Sequence, residues 1–479
     1  MEEIVDFINN IIWSNALIGL CLFTGLYFSF KTRFFQVRLL KTMIRQIFKG
    51  KSSSEGVSSF QAFVIAISGR IGTGNIAGVA TAIAMGGPGA IFWMWVIAFL
   101  GASSAYVEAC LGQIYKEIRG GQYRGGPAYY IEKGLGIRWY GVLFAIATLI
   151  STSFLLPGVQ SNSIASGMQN AFNIPPLYTG IALAIFLGFI IFGGVKRIGK
   201  TAEIVVPFMA IGYILLAVYI ILSNLTAVPS VFKLIFESAF GLEAGFGGIV
   251  GSAIAWGVKR GIYSNEAGQG TAPHAAAAAE VDHPAQQGLA QAFSAYIDTM
   301  FVCTATALMI LFSGMYNTED GKGGFIIENL PGVEAGTEFT QHAISVYIPG
   351  MGDAFVAIAL LFFAFTTIMA YYYIAETNLN YMYSNVINPK MLFMLRAILL
   401  TMVIYGAIKS AGLAWDIGDI GVGLMAWLNI IAILLLRKPA LLSLKDFEKQ
   451  MKEGKHPVFN PKKLGIKNTE AWEKKEDNN

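Results

Sequence analysis

The chain has 479 residues, of which 55% are hydrophobic and only 13% charged. A soluble globular chain carries about a quarter charged residues, so this composition excludes an ordinary water-soluble domain and points to solvation by lipid. The formal net charge of +4 is small and says nothing of nucleic acid; where the basic residues fall matters more.

A bilayer-crossing helix needs roughly 17–25 mainly apolar residues. In chain order, such stretches fall near 11–30, 58–86, 88–115, 140–170, 178–194 and 203–222. Others lie near 245–280 (interrupted), 286–313, 352–378, 391–409 and 415–436, which makes about eleven predicted transmembrane helices in an all-α integral membrane protein. The N-terminus, Met-Glu-Glu-Ile-Val-Asp, is acidic and lacks a basic n-region, so the first stretch reads as a retained span. Cys21, Cys110 and Cys303 sit far apart in apolar stretches, and His274, His283, His342 and His456 form no cluster. With no nucleophile–base pair, metal cluster or phosphate loop apparent, the sequence does not read as an enzyme.

Basic residues orient the spans. Lys31, Arg33, Arg38, Lys41, Arg45, Lys49 and Lys51 follow the first span; Lys116, Arg119, Arg124, Lys133 and Arg138 follow the third. Lys196, Arg197 and Lys200, then Arg437 and Lys438, continue the alternation, whereas the 314–350 loop carries Glu319, Asp320, Glu328, Glu334 and Glu338. The N-terminus is therefore expected outside and the C-terminus in the cytoplasm. The expected organisation is an N-terminal helix and basic loop (1–57), a first five-helix repeat (58–222), an extracellular loop (223–244), a second repeat (245–438) and a tail (439–479). The tail, rich in Lys and Glu, is expected to be loosely ordered, either solubilising or regulatory. No protein or nucleic-acid partner is evident.

Two spans break the apolar pattern. The first is SSFQAFVIAISGRIGTGNIAGVATAIAMGG from residue 58; the second, from about 245, contains GFGGIVGSAIAWGVKRGIYSNEAGQGTAPHAAAAA, with its break expected at 257–265. Glycine weakens a helix by about 1 kcal/mol relative to alanine, and irregular backbone at membrane depth must line a protein cavity rather than face lipid. A break at Gly72-Thr73-Gly74-Asn75 exposes amides that suit a carboxylate and carbonyls that suit a cation. The alternative is glycines serving close helix packing, the preferred reading for Gly86-Gly87 and Gly125-Gly126. The string also matches GxGxxA, but no strand precedes it, so a dinucleotide site is dismissed. Each interrupted span opens a group of five. Five is odd, so the two groups run in opposite senses, and one helix plus a five-plus-five inverted repeat is the arrangement of the leucine-transporter fold.

Several strings resemble the alanine or glycine:cation symporter family: GTGNIAGVATAIA at 72–84, GGPGAIFWMWVIAFLGAS at 86–103, GGPAYYIEKGLG at 125–136 and SNEAGQGTAPHAAAAA at 264–279. The resemblance spans roughly 12 to 437. It implies an inner-membrane protein taking up a small neutral amino acid, typically alanine or glycine, driven by sodium; some relatives prefer glutamine.

The string Gly-x-Gly-Asn also resembles the leucine transporter's. That likeness implies that amides near Thr73 and Gly74 receive the substrate carboxylate, with Asn75 close by, while carbonyls of Ser68 and Ile71 face sodium. Thr366 and Thr367 would add hydroxyl ligands, or else bond their own helix backbone. Gln160 would donate to the substrate, or make an interhelical hydrogen bond. Tyr371 would cap the side-chain pocket where relatives commonly carry tryptophan, which leaves pocket size open. Charges inside spans are functional hypotheses by default: Arg70, Glu108, Lys259, Arg260, Glu266 and Asp298. Arg70 with Glu266 or Asp298 would form a gate, or a structural pair. Trp93 and Trp95 are expected in an interfacial belt. Proton coupling through Asp298 or Glu266, and an uncoupled channel, are the rival readings.

Overall fold

The structure, a computed structural model, describes residues 2–50, 52–242, 246–383 and 388–477. The expected boundary at 244–245 between loop and second repeat, and the tail's end at 478–479, lie outside the described residues. Among the described residues, eight helices are long and apolar enough to cross a membrane, or nine if the bent pair Ser59–Arg70 and Gly74–Gly86 is one span. A shorter apolar helix, Pro176–Ile191, and the interrupted pair Val250–Asn265 and Ala272–Ala278 complete the order. The chain is thus a helical multi-pass membrane protein.

Each interrupted helix is followed by four helical units. After the first come Gly89–Ile114, Arg138–Phe172, Pro176–Ile191 and Gly194–Ser223. After the second come Pro284–Ser313, Gly352–Met382, Pro389–Ala407 and Ala411–Leu435. Gly89–Ile114 runs through the middle, packed by both halves of the second interrupted helix and by Pro284–Ala295. Of the N-terminal helices Glu2–Ile12 and Asn15–Lys31, the second packs on Gly89–Ile114, and Leu17, Cys21 and Phe28 are buried in the same core. Two indoles fasten these helices to the last span: Trp13 donates to the Asp419 carbonyl at 2.8 Å and Trp427 to the Ile12 carbonyl at 2.9 Å.

Three expectations need correction. The second break lies at 266–271, not at 257–265, because the helix continues to Asn265 and the chain then turns left-handed at Glu266 (φ 54°), Gly268 and Gly270. Lys259 and Arg260 therefore sit on regular helix, and both pair with the buried Asp419, at 2.7 and 2.8 Å. The 223–244 segment is not merely a loop, since Val228–Ala239 forms a helix whose Ser238 hydroxyl accepts from the Gly89 amide at 3.0 Å. Trp93 and Trp95 pack around this helix: Trp93 donates to the Ala239 carbonyl and Trp95 stacks near Phe232.

The tail is also ordered through 477. Its Lys- and Glu-rich composition conceals an apolar stripe, Ala440, Leu444 and Phe447, at helical spacing, and the helix Arg437–Lys452 buries that stripe. Beyond it, Phe459, Ile466 and Trp472 are buried, and Trp472 donates to the Gln113 carbonyl at 2.8 Å. The tail thereby straps across the basic end of the bundle. At the opposite, loop-bearing end Asn317–Glu319 pairs with Phe325–Glu328 in a small hairpin, whereas Glu117–Arg119 pairs with Gln122–Arg124 at the basic end.

Candidate functional site

The first half-helix starts on a capping box, in which Ser58 and Gln61 exchange side-chain-to-backbone bonds of 3.1 and 3.2 Å. It stops at Arg70. Ile71 turns extended (ψ 92°), and the chain resumes at Gly74 bent by 52°. The glycines are there for space. A Cβ on Gly72 would sit 2.5 Å from the Thr367 hydroxyl and 2.9 Å from Gln160 Oε1, and one on Gly74 would sit 3.1 Å from the Tyr263 ring.

These contacts bring most of the expected residues together. The Thr73 amide donates to Gln160 Oε1 at 3.0 Å, so a side-chain oxygen already occupies one freed amide. Asn75 acts locally as well: its Oδ1 accepts from the Gly72 amide at 2.8 Å, while its Nδ2 donates to Asp298 at 2.6 Å. The hydroxyls of Tyr263 and Tyr371 both approach the Gln160 side chain. Thr73, Asn75, Gln160 and Tyr371 are all buried, none more than 3% exposed. The Thr73 hydroxyl is buried without a hydrogen-bond partner among the described residues.

One turn below, three oxygens converge. The Thr367 hydroxyl lies 2.9 Å from the Ser68 carbonyl, 3.4 Å from the Ile71 carbonyl and 3.0 Å from the Phe363 carbonyl of its own helix. Thr366 bonds only its own helix, at 2.9 Å to Phe363. The two readings of the threonine pair therefore divide: Thr367 reaches across to the broken helix, and Thr366 turns back. The Phe363 carbonyl was not singled out from sequence, because any helical carbonyl looks alike there.

The expected gate pair is not formed. Arg70 points at the Pro284–Ala295 helix and donates to the Gln291 carbonyl at 3.0 Å and to the Ser294 hydroxyl. Glu266 is held by the Thr271 hydroxyl at 2.7 Å. Asp298, on a π-helical stretch, already has three donors, from Asn75, Ser264 (2.8 Å) and Thr299 (2.7 Å). Glu108 accepts from Asn429 at 2.8 Å, and the same amide reaches the Gly268 carbonyl at 2.9 Å. Among the described residues, three buried carboxylates thus lie near one guanidinium without a direct ion pair to it.

A cavity of about 770 Å³ opens at the loop-bearing end and is floored by Arg260 and Trp415. The Arg260 guanidinium lies 4.4 Å from the Trp415 ring centre, and Trp415 packs on Tyr263 at 4.9 Å. Tyr263 in turn covers Gly74. Thr81, Ala84 and Met85 of the second half-helix line the cavity directly, and one cation–aromatic layer stands between it and the break itself. Toward the basic end the seal is thicker: Tyr373 donates to the His274 carbonyl at 3.1 Å, Arg124 pairs with Glu376 at 2.8 Å, and Val57 bridges Ala279. Tyr263, Trp415 and Asp419 escaped the sequence reading, since nothing in their local strings marks them.

The sequence profile of the sodium:alanine symporter family matches residues 1–461. The Bacillus subtilis protein YrbD is 64% identical over 474 residues, 99% of this chain and 98% of that protein. The sodium/proton-dependent alanine carrier protein of Bacillus sp. strain PS3 is 56% identical over 435 residues, 90% of this chain and 97% of that one. A crystal structure of a manganese transporter from Eremococcus coleocola shares the fold at 13% identity and a TM-score of 0.52, covering 87% of this chain and 94% of that one.

Proposed function

The chain belongs to the sodium:alanine symporter family, and from that premise we propose that it takes up alanine or glycine together with sodium by alternating access. The observation that carries the reading is the first break. The Thr73 amide there is paired only with a side chain a substrate could displace, and carbonyl oxygens gather beside Thr367 one turn away.

In this reading the substrate carboxylate replaces Gln160 at the Thr73 and Gly74 amides, at the positive end of the following half-helix. Gln160 then swings to donate, and Asn75 keeps the Gly72 amide capped so that the break holds its shape. Tyr263 and Tyr371 bound the side-chain pocket, which favours a small neutral amino acid. Sodium is bound by the carbonyls of Ser68 and Ile71 with the hydroxyls of Thr367 and Thr366. A hard cation takes oxygen ligands, and binding it requires that Thr367 turn its proton away and that Thr366 rotate off the Phe363 carbonyl of its own helix. The basic end faces the cytoplasm by the positive-inside rule, the two five-helix groups form an inverted repeat, and the membrane is the cytoplasmic one.

A second reading, proton coupling through Glu266 or Asp298, is favoured by one observation: both carboxylates are buried and neither has an ion pair among the described residues. Uptake of labelled alanine into proteoliposomes under separately imposed sodium and proton gradients decides between them. Uptake that follows sodium at constant pH supports the sodium site. Uptake that ignores sodium and follows pH overturns it and moves coupling to the carboxylates. Mere equilibration of alanine whatever gradient is imposed, lacking trans-stimulation, would make the protein an uncoupled channel.

A further inference from the structure

We propose that the basic end carries a binding groove for the phosphate headgroup of an anionic phospholipid, between the end of the Asn15–Lys31 helix and the tail helix Arg437–Lys452. Two clefts of about 560 and 620 Å³ meet there and share Lys31, Leu441 and Lys445. The second is lined by four cations, Lys31, Arg437, Lys438 and Lys445, and by no carboxylate. In the first, the two carboxylates have partners of their own: Glu448 pairs with Arg38 at 3.0 Å and Glu453 with Lys455 at 2.7 Å.

The arrangement follows from how the tail helix docks. Burying Ala440, Leu444 and Phe447 against the bundle leaves Lys438, Leu441 and Lys445 together on one flank of the helix, at three- and four-residue spacing. They meet Lys31 there, which comes from a segment some four hundred residues earlier in the chain. A general excess of basic residues in the loops would not require such convergence. Like charges gathered in one cleft repel, and among the described residues neither Lys438 nor Lys445 has an ion pair to offset that repulsion.

The surroundings specify a lipid rather than a free anion. Tyr27, Leu435 and Leu442 line the same cleft. The surface next to them is apolar and uncovered: Phe23 is 59% exposed, Phe30 63% and Leu435 56%. In a membrane protein such a surface faces acyl chains. The cations thus stand at the level where hydrocarbon gives way to headgroups, the place where basic pockets bind anionic lipids. Phosphate oxygens would accept from Lys438, Lys445 and Arg437 while the acyl chains lie along the Asn15–Lys31 helix.

The test measures thermal unfolding of the full chain in detergent with added phosphatidylglycerol, phosphatidylcholine or inorganic phosphate. Phosphatidylglycerol is expected to raise the midpoint by roughly 3 °C or more beyond phosphatidylcholine. K438Q/K445Q should lose that increment, K438R/K445R should keep it, and K200Q, on a different basic segment, should keep it too. Equal shifts from the two lipids, or an undiminished increment in K438Q/K445Q, overturn the proposal. An equal shift from inorganic phosphate overturns it in favour of a free-anion site. Coupling chemistry plays no part in this binding, so its failure leaves the symport reading intact.

Discussion

The two interrupted helices break for different reasons. At the first break, three residues long, the glycines make room: Thr367, Gln160 and Tyr263 press on the backbone where a Cβ would stand. The freed amides are met by movable side chains, Asn75 and Gln160. At the second break the glycines serve conformation first, since Gly268 and Gly270 hold φ of +86° and +88° beside the left-handed Glu266, although a Cβ on Gly270 would also sit 2.8 Å from Pro127. Its polar groups are tied internally, Glu266 to Thr271 and Asn265 to the Ala267 amide at 3.0 Å, and externally through Asn429. One break offers freed amides to movable side chains and the other is a braced turn. A shared fold position therefore does not imply a shared task.

That contrast can be broken by substitution. Gly72→Ala should have the largest effect: overpacking costs about 1–3 kcal/mol, and here it falls on both Thr367 and Gln160, so alanine uptake should drop by two orders of magnitude or more on the same scale while the protein still reaches the membrane. Asn75→Ala comes next. It uncaps the Gly72 amide and removes a donor from Asp298, and a buried group left unsatisfied costs about 1–3 kcal/mol; near-normal uptake would remove this break from the transport site.

A finer test separates the threonines. Thr367→Ala should raise the sodium concentration for half-maximal uptake about tenfold, the equivalent of one lost ligand worth 1.4 kcal/mol, and Thr366→Ala should raise it less. Equal effects would mean that the crossing bond from Thr367 to Ser68 has no special role. The smallest effect on transport is expected from Gly268→Ala. A left-handed non-glycine residue costs about 1–2 kcal/mol, so the unfolding temperature should fall while the apparent affinity for alanine stays unchanged; a loss of affinity would make the second break part of the site.

Much of the first break was legible because composition is enough there: glycines and an asparagine inside an apolar span have few uses at membrane depth. Asn75 and Ser68 could be placed on the break by their spacing from Gly72. The second break was located several residues early because Gly257, Lys259, Arg260 and Gly261 look equally disruptive on the page. Helix geometry absorbs them, since Asp419, more than 150 residues away, neutralises the two cations and lets the helix run on. The tail misled for the opposite reason: its charges dominate composition, while three apolar residues at helical spacing decide where it packs.

The sequence by itself determined that this is a multi-span membrane protein, which two spans are interrupted, and which family it resembles. Those properties depend on local composition and on spacing along the chain. Tertiary structure alone decided that Arg70 faces Gln291 and Ser294 rather than an acid, that Thr367 and not Thr366 reaches the broken helix, and that Tyr263 and Trp415 roof the site. Each of those depends on which distant side chain arrives first at a buried polar group, and chain order carries no record of that.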